Sequence, residues 1–72
     1  MDKAEATEEL LLREDRDGIA MLTLNRPLQF NALSADLLAQ LLSAIEAIGA
    51  DASVRVVVIS GAGRAFCAGH DL

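Results

Sequence analysis

Val54-Arg55-Val56-Val57-Val58-Ile59-Ser60-Gly61-Ala62-Gly63-Arg64-Ala65-Phe66-Cys67-Ala68-Gly69-His70-Asp71-Leu72 is the stretch from which the rest of the chain is read. Its first six residues form the most apolar run in the sequence, and five of them are β-branched. Such side chains fit a pleated strand. The absence of alternation after Arg55 suits a central parallel strand covered on both faces. The loop of small residues that follows brings backbone N–H groups, unscreened by bulk, to one point in space. Chemistry that builds negative charge on an oxygen uses such groups.

Upstream of the strand the pattern changes to a helical period. Leu37, Leu38, Leu41, Leu42, Ile45 and Ile48 fall on one stripe. Ser34 is a good N-cap, Asp36 suits the positive end of the helix dipole, and Gly49 reads as the C′ residue. The spacing therefore predicts a helix over Ala35–Ile48. Asn25 to Leu33 reads as a loop, because Pro27 cannot donate to a ladder and ends the strand before it. That strand is Ile19–Leu24, with a partner in Leu10–Glu14. Asp15-Arg16-Asp17-Gly18 supplies the turn of a hairpin from Leu10 to Leu24. Strand, helix, strand makes a right-handed crossover.

One helix cannot cover both faces of a strand. We therefore expect residues 10–72 to be the incomplete N-terminal part of a larger domain, or to be covered by a partner. Residues 1–9 read as a disordered acidic tail, and the open sheet predicts poor solubility. The 72 residues allow at most one domain. A net charge of −5 argues against nucleic acid as partner. Cys67 is the only cysteine and His70 the only histidine, which excludes an internal disulfide and a Cys/His zinc cluster. No apolar run approaches the roughly 20 residues that span a bilayer. The acidic start resembles neither a signal nor a transit peptide, so a reducing cytoplasm is expected.

The glycines narrow the chemistry further. Gly61-Ala62-Gly63 begins like a dinucleotide fingerprint, but Phe66 stands where the third glycine belongs. There is no Gly-Lys-Ser/Thr for a Walker loop. A tight turn after the strand accounts for Gly61 and Gly63 equally well. Gly69, between Ala68 and His70, leaves the backbone open to close approach by a ligand carbonyl.

Taken together, Asn25-Arg26-Pro27-x-x-x-Asn31-Ala32-Leu33-Ser34, a helix, a valine-rich strand and Gly-x-Gly-x-Ala-Phe-Cys-Ala-Gly-His-Asp-Leu resemble the N-terminal part of the enoyl-CoA hydratase/isomerase (crotonase) family. The Gly-His-Asp-Leu ending most resembles the subgroup named enoyl-CoA hydratase domain-containing protein three. The resemblance covers Leu10 to Leu72. It implies an α/β fold, the N-terminal part of the ClpP/crotonase ββα spiral. It also implies an acyl-CoA or enoyl-CoA substrate, no cofactor beyond the coenzyme A of that substrate, no metal, and a homotrimer or hexamer in full-length relatives. The family stabilises an enolate oxygen with two backbone N–H groups. One maps onto His70, and the other belongs to a later glycine-rich segment, as do the acid/base carboxylates. By the same resemblance Ala68, Gly69, His70, Asp71 and Leu72 border the thioester and pantetheine, and Phe30 and Ala32 lie along the CoA arm.

Each of these residues also has a plainer reading. The imidazole of His70, where the family usually has a small residue, either crowds the acyl pocket or acts as a base, and a steric or hydrogen-bonding role is preferred. Asp71 reads as a helix cap before a catalyst. Cys67 reads as a small buried thiol before a nucleophile. Arg26 and Arg64 either meet CoA phosphates or lie solvated at the surface. The reaction expected by default is hydration of an enoyl-CoA, with no turnover by the 72 residues alone. The rival is a non-catalytic remnant or CoA-binding module.

Overall fold

The chain first reverses direction at Asp17 and Gly18. In the computed structural model, which describes residues 9–69, these two take positive φ, 54° and 80°. That is the conformation a two-residue type I′ turn requires. The turn joins β1 (Leu11–Arg16) to β2 (Ile19–Leu24), antiparallel from Arg16↔Ile19 to Leu11↔Leu24. The expected hairpin is present. Its first strand runs to Arg16 rather than stopping at Glu14, because the turn takes two residues rather than four.

β3 (Val56–Gly61) lies parallel to β2, from Ile19↔Val56 to Leu24↔Gly61, and the sheet order is β1-β2-β3. The Gly18 carbonyl accepts from Arg55 N–H (2.7 Å) and Val56 N–H (3.2 Å). This anchors the ladder at Val56 instead of Val54 and carries the strand on to Gly61.

Between the parallel strands runs α1 (Ala35–Gly49). The Ser34 hydroxyl accepts from Leu37 N–H at 3.2 Å, and Asp36 sits in the first turn, as expected. The C-terminus differs from expectation. Gly49 is the last helical residue and does not take positive φ. Instead Ala50 N–H donates to the Glu46 and Ala47 carbonyls and Asp51 N–H to Ile48, so a tightened last turn ends the helix. Replacing Ser34 by Ala should lower stability by about 1 kcal/mol. A lower urea midpoint at unchanged slope would register it; an unmoved midpoint would refute the cap.

The core is small. Ala20, Leu22 and Leu24, on one face of β2, are buried together with Leu37 of α1. The Gln40 side-chain oxygen accepts from Leu10 N–H (3.0 Å) and Leu11 N–H (3.1 Å), tying the helix to the start of β1. Asn25 Nδ2 donates to the Glu9 carbonyl (3.0 Å), so Glu9 joins the fold. The remainder of the expected acidic tail, residues 1–8, lies outside the described residues.

Two burial expectations need correction. The six apolar positions of the helix span two adjacent faces. Leu37, Leu41 and Ile48 turn inward, while Leu38, Leu42 and Ile45 stay open, Leu42 at 58% exposure. β3 is not a buried central strand among the described residues: it is an edge, and Val56 to Ile59 remain 42–50% exposed. Consecutive strand residues point to opposite faces, so uniform exposure means that neither face of β3 is fully covered.

On the far end of the hairpin Arg13 forks onto Asp15 (2.7 Å) and reaches Asp51 (3.6 Å). Hydrogen bonds from Arg13 hold the Asp15 carboxyl below its usual range, and those from the Ser53 hydroxyl and amide do the same for Asp51. Depressed carboxylates support the fold above their ordinary pKa and stop doing so as pH falls. Both are solvent-exposed, so this support is slight.

Candidate functional site: two loops at the carboxyl ends of the parallel strands

β2 and β3 run in the same direction, so the loops that follow Leu24 and Gly61 leave the sheet from the same end. Crevices at the carboxyl ends of parallel strands are where open α/β sheets bind ligands.

The first loop turns through a single 3-10 turn, Pro27–Gln29. Phe30 and Asn31 then both take left-handed φ, 53° and 58°. Asn31 is wholly buried, and every polar atom of its side chain is engaged. Its Oδ1 accepts from Arg26 N–H at 2.8 Å. Its Nδ2 donates to the Ala62 carbonyl at 2.9 Å and the Ala65 carbonyl at 2.7 Å. The Asn31 backbone N–H donates to the Arg26 carbonyl (2.8 Å). Arg26 Nη1 donates to the Ala32 carbonyl at 2.6 Å, so this guanidinium braces the loop it belongs to.

The second loop is pressed against the first. Ala62 N–H donates to the Leu24 carbonyl at 2.8 Å. A Cβ built on Gly61 would lie 2.5 Å from the Phe66 carbonyl oxygen, 2.7 Å from that of Ala65 and 2.8 Å from Asn31 Nδ2. Gly63 takes φ of 82° with Pro27 Cβ close overhead. The tight-turn reading is met at Gly63, whereas Gly61 is the last residue of β3 and is required by crowding. Gly69 is different: it has φ of 103° with open space where a Cβ would be. Its glycine is required by conformation, not by crowding. Its carbonyl accepts from Leu33 N–H at 2.8 Å, which joins the two loops a second time. Its own N–H donates to Cys67 Sγ at 3.4 Å, leaving that free thiol half-buried and engaged.

Of the residues singled out from sequence, Ala32 and Gly69 are brought to the same seam, through Leu33. Phe30 stands at the rim, half exposed, and Ala68 is exposed. Arg64 is exposed. His70, Asp71 and Leu72, and with them the oxyanion donor, the cap and three of the CoA contacts, lie outside the described residues. Sequence reasoning quoted Asn31 as part of a motif and missed its work; it is one of three amide side chains in residues 25–33, with Asn25 and Gln29, and nothing local marks it as the buried one. A groove of about 850 Å³ opens beside the first loop, lined by Asn25, Arg26, Leu28, Gln29, Asp36 and Gln40; of these, Arg26 alone is a candidate contact for CoA phosphates. No group of three His, Cys, Asp or Glu suited to a metal occurs among the described residues, and none of their helices is long and apolar enough to cross a membrane. Residues 25–34 and 61–69 contain no carboxylate. What these loops present is backbone, held rigidly.

Residues 14–72 match the sequence model of the enoyl-CoA hydratase/isomerase family. The chain is 45% identical over 67 residues to 3-hydroxyisobutyryl-CoA hydrolase 1 of Arabidopsis thaliana, covering 93% of this chain and 18% of that protein. It is 45% identical over 65 residues to a probable enoyl-CoA hydratase of Mycobacterium leprae, covering 90% of this chain and 22% of the relative. It superposes on a crystal structure of enoyl-CoA hydratase from Mycobacterium smegmatis with a TM-score of 0.85 and 55% identity, over 90% of this chain and 26% of that one. The chain thus spans about a fifth to a quarter of the length of the proteins it matches.

Proposed function

We propose a function on the premise that this chain belongs to the enoyl-CoA hydratase/isomerase family: it contributes one wall and one backbone donor of an oxyanion site for an acyl-CoA thioester. The observation that carries the reading is the pinned carbonyl of Gly69. Leu33 N–H holds the Gly69 carbonyl at 2.8 Å, so the glycine that precedes the expected donor is fixed to the first loop. Ala68, Gly69 and His70, with Asp71 and Leu72, then border the thioester, and Phe30 and Ala32 flank the CoA arm.

The chemistry follows from where charge develops. Adding water across the 2,3-double bond of an enoyl-CoA, or moving that bond, passes electron density onto the thioester oxygen as an enolate. A preorganised N–H aimed at that oxygen is stronger there than in the ground state, and loss of one such donor typically costs about 10²–10³ in rate. Acid/base carboxylates and a second donor are assigned to sequence beyond these 72 residues, so hydration, the reaction we favour, is not expected of this stretch alone. A full-length member is accordingly read as a lyase assembled as a trimer or hexamer, without a cofactor. The free thiol of Cys67 suits a reducing compartment, and the cytoplasm is our reading. A second reading, a CoA-binding module without chemistry, draws on the lack of any carboxylate on the two loops.

Isothermal titration separates these readings from a chain with no CoA function. Acetyl-CoA should release heat at millimolar concentration, and more tightly than free CoA, since only the thioester offers the carbonyl oxygen. Equal affinity for both would favour the binding module. No heat with either would overturn the proposal.

A further inference from the structure

Asn31 is the one buried polar residue among the described side chains, and it lies between the two loops that form the candidate site. Its three side-chain hydrogen bonds reach the first loop at Arg26 and the second at Ala62 and Ala65, 31 and 34 positions away. Two residues on, Leu33 N–H makes the bond to Gly69. Four residues beyond Ala65, the same carbonyl of Gly69 receives it. The span from Asn31 to Leu33 on one side, and from Ala65 to Gly69 on the other, is a short ladder with Asn31 as its fixed rung.

We propose that Asn31 is a positioning residue: its side-chain amide sets the register of the 61–69 loop against the 26–33 loop, and so fixes where the Gly69 peptide points. The inference deepens the oxyanion reading above and rests on it for its bearing on catalysis. Three features carry it. The amide is fully buried and fully used, so no other hydrogen-bonding state competes. An asparagine tolerates left-handed φ, which lets the side chain turn back across the seam from a position where most residues are strained. The Gly61 backbone passes so close that its missing Cβ would strike Asn31 Nδ2 and the two carbonyls beside it. The loop is seated on the amide, not merely near it.

The alternative is that Asn31 only adds stability. Amide hydrogen exchange by NMR on the 72-residue chain separates the two, since it reads local opening apart from global unfolding. Asn31→Gly keeps the left-handed backbone and deletes the side chain. Protection at Leu33 N–H should fall at least about tenfold further than protection at the β2 core amides, because two part-buried carbonyls lose their donor. Ala20→Gly, a small core truncation at the hairpin end of β2, should lower all amides together and leave that ratio unchanged.

Asn31→Asp adds a signature that a generic loss of stability lacks. Its carboxyl retains an acceptor for Arg26 N–H but, when ionised, turns a second oxygen toward the carbonyls of Ala62 and Ala65. Repulsion and burial raise its pKa in the closed loop. The seam should therefore hold at low pH, where the protonated carboxyl donates one bond, and open as pH rises through the raised pKa. The charged side chains of the two loops are Arg26, whose guanidinium is engaged with Ala32, and the exposed Arg64.

Should Asn31→Gly fail to fold, Asn31→Asp at low pH keeps the seam closed and should open Leu33 selectively as pH rises. Uniform loss of protection in all these variants, or none at Leu33, would overturn the proposal. Titration of the unmodified chain with acetyl-CoA, followed at the Gly69 and Leu33 amides, reads the oxyanion assignment separately. Shifts there support it; silence there removes the bearing on catalysis while the exchange ratios still decide the part played by Asn31.

Discussion

Leu22→Ala should leave most of the chain unfolded at room temperature. Leu22 has no exposed surface, sits in the middle strand of the sheet, and is one of four buried apolar residues among the described residues. Truncating a buried leucine costs about 2–5 kcal/mol, the upper values arising where neighbours cannot close the cavity. At about 0.05–0.15 kcal/mol per residue, a chain of this length holds about 4–11 kcal/mol. The half-open β3 and the open outer face of α1 put it toward the bottom of that range. The loss is therefore comparable to the whole stability. Far-UV circular dichroism in a urea series would show it, with Leu42→Ala as the reference. Leu42 is 58% exposed on the outer stripe, and its truncation should change stability by no more than about 0.5 kcal/mol. Equal midpoints for the two variants would mean that Leu22 does not belong to the core.

Gly61→Ala should be nearly as damaging, for a different reason. Two of the three atoms a Cβ would meet are backbone carbonyl oxygens, at 2.5 and 2.7 Å, and backbone cannot rotate out of the way. The turn at Ala65 and Phe66 has to move outward, and in moving it releases the Asn31 amide. Overpacking costs about 1–3 kcal/mol, and an unpaired buried donor adds about 1–3 kcal/mol. Together the expected loss is about 2–6 kcal/mol. Gly49→Ala supplies the contrast. There a Cβ meets nothing within 4 Å, and the residue is helical. That substitution should stabilise by about 0.5–1 kcal/mol. The same change with opposite sign at two glycines would be read in one pair of denaturation curves; a destabilisation at Gly49 matching that at Gly61 would refute the account.

What the sequence made legible was mostly local. Ser34 followed by Asp36 and a leucine stripe located the start of α1, because a cap and a dipole act within one turn. Asp17-Gly18 located the hairpin for the same reason. The valine run announced a parallel partner for β2, because β-branched residues without alternation have few other uses. The parts that were hidden depend on distant partners. The ladder starts at Val56, not Val54, because the carbonyl of Gly18 claims the amides of Arg55 and Val56. Gly49 looked like a left-handed cap, yet the tightened turn through Ala50 and Asp51 already satisfied the last carbonyls. Leu38, Leu42 and Ile45 are as apolar as Leu37 and Leu41, and periodicity cannot tell which of two adjacent faces meets the sheet. Asn31 was the least legible: its burial is set by carbonyls more than thirty residues away. At the site itself, the glycine loop and its neighbour across the seam were readable from residue type, but the hydrogen bond from Leu33 to Gly69 was not.

The parallel register of β2 and β3 also imposes an order in time. The hairpin closes through two residues, and such contacts form in about 1–10 μs. Ile19 finds Val56 only across 37 positions (56 minus 19), with the helix needing to form and dock in between. Distant pairings carry their loop-closure entropy before any contact repays it. β3 is therefore the last strand to arrive during refolding, and its arrival sets the observed rate. The seam of Asn31, Leu33 and Gly69 bridges residues more than thirty positions apart, so it closes only once β3 has docked.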